Sequence, residues 1–138
     1  MHIKIENLNK IYKGGSYAVN NLNLEIPNGM FGLLGPNGAG KSTLMRILVT
    51  LMKPTSGKVY FNDYELSKHR REIRSMLGYL PQDFSFFSKL KTSEFLDYTA
   101  RLAGMKSGTA RRSAVDQMLE EVGLFEVRDR NANKLSGG

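Results

Sequence analysis

Apolar residues alternate with polar ones near the start of the chain, at Ile3, Ile5 and Leu8 and again at Val19, Leu22, Leu24 and Ile26. That period predicts two strands, with Lys13-Gly14-Gly15-Ser16 as the hairpin loop between them. Pro27-Asn28-Gly29 is a turn signal, and the apolar run Met30-Phe31-Gly32-Leu33-Leu34 after it predicts a short buried strand. Leu44, Ile47, Leu48 and Leu51 recur at helical spacing, so a helix is expected from near Lys41 to near Met52, ahead of Pro54 and Gly57. Lys58-Val59-Tyr60-Phe61 reads as another strand and Asn62-Asp63 as a turn. A helix through Arg71, Ile73 and Leu77 is expected next, then a short strand at Gly78-Tyr79-Leu80-Pro81. From Thr92 the pattern turns helical. Thr92 is expected to cap a helix with Phe95, Leu96, Thr99 and Leu102 on one face, ending at Gly104. Ser107-Gly108 opens a second helix through Val115, Met118, Leu119 and Val122, stopped at Gly123. The first half is therefore mixed α/β and the second half helical.

Between the apolar run and the first helix, residues 35–43 read Gly-Pro-Asn-Gly-Ala-Gly-Lys-Ser-Thr and fit G-x-x-x-x-G-K-[ST] at every position. Gly35, Gly38 and Gly40 let the backbone turn tightly and bring N–H groups close to phosphate oxygens. Pro36, Asn37 and Ala39 fill the loop between them. Lys41 is a mobile cation of the right reach for β- and γ-phosphates, and the hydroxyl of Ser42 is a ligand for Mg²⁺. Thr43 completes the motif inside a helix whose positive dipole end faces the same anion.

Composition narrows the class. A chain of 138 residues with 41% hydrophobic content supports one ordinary core. With no cysteine, disulfides and thiolate chemistry are excluded, and His2 and His69 have no partner at metal-ligand spacing. No apolar stretch has the length of a membrane span and the start does not read as a signal peptide, so the expectation is a cytosolic chain that does not itself cross a membrane. Part of the net charge of +7 suits an anionic nucleotide and part suits an anionic membrane surface. The basic cluster Lys68-His69-Arg70-Arg71 with Arg74 spreads around a helix and is expected to be a solvated face, and no nucleic-acid-reading motif accompanies it.

The chain ends Leu135-Ser136-Gly137-Gly138, and Ser136 lies 95 residues (136 minus 41) after Lys41. A phosphate loop followed at this distance by Leu-Ser-Gly-Gly resembles the ATP-binding cassette (ABC) ATPases. Two further positions match: Gln82 where that family places its Q-loop glutamine, and Tyr12 where it places an aromatic that stacks on adenine. The resemblance covers the whole chain. It implies an α/β, phosphate-loop NTPase core of the ABC type, with an N-terminal antiparallel β subdomain and a helical subdomain, incomplete at the C-terminus. Residues 1–83 and 134–138 would belong to the catalytic core and signature, and residues 84–133 to the helical subdomain. Tyr12 and Val19 would flank the base, residues 35–43 would hold the phosphates, and Ser42 and Gln82 would serve Mg²⁺. Leu135, Ser136, Gly137 and Gly138 would contact ATP held by a second subunit in a head-to-tail dimer. ATP is expected over GTP, since Asn133-Lys134-Leu135-Ser136 puts Ser where a guanine-gripping carboxylate belongs.

The same resemblance implies an ATPase subunit at the cytoplasmic face of the membrane, driving a transmembrane permease without binding nucleic acid. Gly78 to Phe84 and Ser93 to Met105 look like cassettes of ABC-2-type exporters, with importer cassettes the open alternative. A soluble ABC-type ATPase acting on DNA or ribosomes is the alternative, and a binding-only fragment is a third reading. The compact spacing and the absence of cysteine argue against the DNA-acting kind. The family's Mg²⁺-binding Asp, catalytic Glu and switch His come after the signature, so the 138 residues alone are expected to be poorly stable and to turn over negligible ATP.

Overall fold

The computed structural model describes residues 1–81 and 90–135. The chain divides into two compact units, Met1–Leu80 and Pro81–Gly138. Gln82, Ser136, Gly137 and Gly138 therefore lie outside the described residues.

In the first unit, β1 (Ile3–Ile11) and β2 (Tyr17–Ile26) form the expected hairpin, and β3 (Ser56–Phe61) and β4 (Tyr64–Glu65) extend it into an antiparallel sheet of order β2-β1-β3-β4. The strand pattern is broken twice by the same tripeptide. Asn7-Leu8-Asn9 and Asn21-Leu22-Asn23 each begin with an asparagine in the left-handed region, at φ 47° and 45°. Asparagine tolerates that conformation better than other side chains. The two breaks interlock: the Asn7 N–H donates to Asn23 Oδ1 at 2.9 Å and the Asn21 N–H to Asn9 Oδ1 at 2.8 Å. Side-chain amides thus replace ladder bonds where the register shifts. On β3, Gly57 sits at φ +87°, with a built Cβ only 2.4 Å from the Asn7 carbonyl oxygen, so no side chain fits against this bulge.

One face of the sheet presents Ile5, Leu8, Val59 and Phe61 to α1 (Lys41–Leu48) and α2 (Arg70–Met76), which bury Leu44, Ile47, Leu48 and Ile73. Side chains of this size each contribute about 1.5–3 kcal/mol on burial. The helix after the loop ends four residues short of Met52. Leu51 N–H bonds the Arg46 carbonyl and Thr50 N–H the Ile47 carbonyl, which closes the helix with Thr50 left-handed at φ 63°.

Two expected strands are not formed. Residues 30–34 and 78–81 carry no ladder bonds. Met30 is fully exposed and Leu34 is 93% exposed, while Leu33 packs against the core. A strand exists by pairing, and no described strand lies beside either segment.

In the second unit, α3 (Thr92–Leu102) packs on α4 (Gly108–Glu121) through Val115 and Leu119. Thr92 is the first helical residue and not the cap. Its hydroxyl donates to the Arg130 carbonyl at 3.0 Å, while the Glu94 carboxylate accepts from the Lys91 N–H at 2.9 Å. Ser107 caps α4 as expected, and Gly123 at φ 68° ends it. Arg111 is only 8% exposed. It donates to Asp97 Oδ1 at 2.9 Å and to the carbonyls of Met105 and Lys106 at 3.0 Å, tying the inter-helix turn to α3.

Candidate nucleotide-binding site

The loop of residues 35–40 enters α1 at Gly40, whose φ is 83°. A Cβ built on Gly40 would stand 2.0 Å from the Ala18 carbonyl oxygen, so only glycine lets the loop lie this close to β2. Within the loop the Ala39 N–H closes a turn on the Pro36 carbonyl at 3.2 Å. Asn37 and Gly38 at its tip are exposed. Helix α1 has no side-chain cap and no acidic residue in its first turn. Its leading N–H groups, which cannot be satisfied within the helix, therefore meet no protein anion among the described residues. Lys41 turns back over the loop and donates to the Gly35 carbonyl and, at 2.7 Å, to the Pro36 carbonyl. These carbonyls hold the ammonium at the mouth of the loop. Ser42 is exposed on the first turn and Thr43 is buried.

These features fit an anion of phosphate geometry: uncapped donors, a backbone without Cβ obstruction and a lysine at the rim. For a divalent cation, the Ser42 hydroxyl is an accessible oxygen, and no cluster of acidic or histidine side chains able to hold a metal occurs among the described residues.

Tyr12 comes to the same helix from the end of β1. Its hydroxyl lies 3.0 Å from Thr43 Oγ1 and 3.9 Å from Met52 Sδ, and Lys10 Nζ stands 5.9 Å from the ring centroid. Tyr12 as a whole keeps 42% exposure while its hydroxyl is engaged with Thr43. Val19 is buried in the sheet core next to Gly40. The structure thus brings Tyr12, Val19, Lys41, Ser42 and Thr43 to one end of α1. Leu135 is half-buried in the second unit and donates its N–H to the Ala132 carbonyl at 3.3 Å. Gln82 and residues 136–138 are outside the described residues.

Two features were not legible beforehand. Tyr17 is exposed and, with Val19, Leu24, Leu33, Gly38 and Lys41, lines an open cleft of about 390 Å³ beside the loop. Its place two residues before Val19 on a strand was the available signal. Tyr12 does not line this cleft. The second is a contact made from the basic cluster: Lys68, Arg71 and Arg74 are exposed, as expected of a solvated face, and Arg70 and Arg74 in addition bond Thr50 just past the end of α1.

The sheet, the loop and the helix it opens define a phosphate-loop α/β unit. The family profile described as "ABC transporter" matches residues 19–138, and the chain belongs to that family. It is 39% identical over 140 residues to human "Phospholipid-transporting ATPase ABCA3", covering 99% of this chain and 8% of that protein. It is 35% identical over 139 residues to "Probable sulfate/thiosulfate import ATP-binding protein CysA" of Chlorella vulgaris, covering 100% of this chain and 58% of that one. Among solved structures, the dimeric post-hydrolysis state of the ATP-binding cassette MJ0796 bound to ADP and Pi superposes with a TM-score of 0.81 at 31% identity, over 98% of this chain and 63% of that one. The fold is thus that of the ATP-binding cassettes, and the chain spans less than two thirds of each of these relatives.

Proposed function

We propose that this chain is the nucleotide-binding part of an ABC transporter ATPase that couples ATP binding and hydrolysis to export across a membrane. The observation that carries the reading is the uncapped start of α1, with Lys41 poised over the carbonyls of Gly35 and Pro36. Lys41 would leave those carbonyls for the β- and γ-phosphates, a short swing of a flexible cation. The first-turn N–H groups and the loop backbone would hold the remaining phosphate oxygens, and Thr43 would present its hydroxyl beside them. Ser42, with Gln82, would ligate Mg²⁺, which supplies charge neutralisation at the phosphates. Tyr12 would offer its ring to adenine, with Val19 behind it.

Family membership supports a second cassette as partner, with Leu135, Ser136, Gly137 and Gly138 facing the nucleotide of the other subunit. It also supports a membrane-spanning permease that places the ATPase at the cytoplasmic face. Relatives named for phospholipid transport and for sulfate import fit a transport role. Export is our reading of residues 78–84 and 93–105.

The test is ATP turnover by the full-length protein assembled with its membrane partner in vesicles. Turnover and outward substrate movement that K41A abolishes together support the reading. Turnover unaffected by K41A, or strictly inward movement, contradicts it.

A further inference from the structure

The far end of α1 is held as deliberately as its start. Thr50 closes the helix in the left-handed region at φ 63°, a place where glycine or asparagine is usual and a β-branched residue is strained. It is also 1% exposed. Strain at a buried position persists where the surroundings over-determine it, and here two guanidinium groups do so. Arg70 Nη2 donates to the Thr50 carbonyl at 2.7 Å, Arg74 Nη2 to the same carbonyl at 3.3 Å, and Arg74 Nε to the Thr50 hydroxyl. The hydroxyl explains the residue: glycine would relieve the backbone and leave Arg74 Nε without this acceptor. Both arginines come from α2 and are one helical turn apart, so they grip Thr50 side by side.

We infer that Arg70 and Arg74 are positioning residues for the phosphate loop. Helix α1 is one short rigid rod of eight residues, with the loop at its N-terminus and the clamp just past its C-terminus. Fixing Thr50 to α2 fixes the axial position of the rod, and hence of the N–H groups and Lys41 that meet phosphate. The clamp therefore acts on the phosphate half of any bound nucleotide and is indifferent to its base.

This inference rests on the phosphate-binding reading of the loop, and the test separates the two. Inorganic tripolyphosphate and ATP, each with Mg²⁺, are titrated calorimetrically into the full-length protein and its R70M/R74M variant, at a temperature where circular dichroism shows both folded. The double variant, which loses all three bonds to Thr50, is expected to bind both ligands about tenfold more weakly. Should it not fold, R74K keeps the charge but loses the forked contact, and a weakening of about fivefold for both ligands is expected. A folded variant that binds tripolyphosphate as the parent does overturns the inference, since the clamp then serves stability alone. A weakening confined to ATP overturns it as well. Wild-type protein that binds neither ligand sinks the phosphate-binding reading itself.

Discussion

Replacing Tyr12 by Phe removes one oxygen and leaves the ring, which isolates the contact between the base platform and the phosphate helix. The Tyr12 hydroxyl sits 3.0 Å from Thr43 Oγ1, and Thr43 is 9% exposed, so no bulk water readily takes its place. A net hydrogen bond of this neutral kind contributes about 1 kcal/mol. If that bond holds the ring in its stacking position, Y12F weakens ATP binding about fivefold, at tenfold per 1.4 kcal/mol. Y12A also removes the stacking surface, a further loss of about 1–3 kcal/mol, so its deficit is larger by an order of magnitude or so. Both changes free the Thr43 hydroxyl but touch neither Lys41 nor the loop backbone, so affinity for tripolyphosphate falls much less than that for ATP in both variants. The assay is calorimetric titration of ATP and tripolyphosphate with Mg²⁺ present. Y12A that binds ATP as tightly as the parent, or a tripolyphosphate affinity that falls in step with that for ATP, would rule out this role for Tyr12.

Three further outcomes follow from the packing. G40A drives a Cβ toward the Ala18 carbonyl at φ +83°, and a destabilisation of about 2 kcal/mol or more is expected in urea unfolding, with loss of phosphate binding; an unchanged midpoint contradicts this. R111M strips the α3–α4 turn of its bonds to Asp97, Met105 and Lys106 and lowers stability by about 2 kcal/mol, read the same way, the exposed Asp97 limiting the loss by resolvating. Hydrogen bonding from Lys68, then from Ser67, holds the Glu65 carboxyl below its ordinary 4.5. A depressed carboxylate stabilises above its unfolded value and loses that contribution as pH falls through the folded one. The small advantage of the parent over E65Q at neutral pH should therefore vanish on acidification below about 4.5, and an advantage that grows with acid would be the wrong sign.

Local chemistry made the loop legible, because Gly40 and Lys41 owe their roles to backbone freedom and charge. The β1–β2 hairpin was legible from its alternation of apolar residues. Pairing was less so. Residues 30–34 have the composition of a buried strand, yet composition supplies no neighbour to bond with, and Met30 and Leu34 face solvent. The end of α1 escaped for a related reason: a left-handed Thr50 has no sequence signature, since its stability comes from Arg70 and Arg74 some twenty residues on. The same contact adds a grip on Thr50 to a basic cluster whose Lys68, Arg71 and Arg74 are exposed as expected. Thr92 was displaced from its expected cap by the Arg130 carbonyl, a partner 38 residues distant.

The central claim is that residues 35–43 form a working phosphate site. Titrating Mg²⁺-ATP into the full-length protein and into its K41M variant tests it most directly. Saturable binding at one site per cassette is expected in the parent and a loss of about tenfold or more in the variant, as for removing a charged bond to phosphate. Equal affinities in the two proteins, or no binding by the parent, would contradict it.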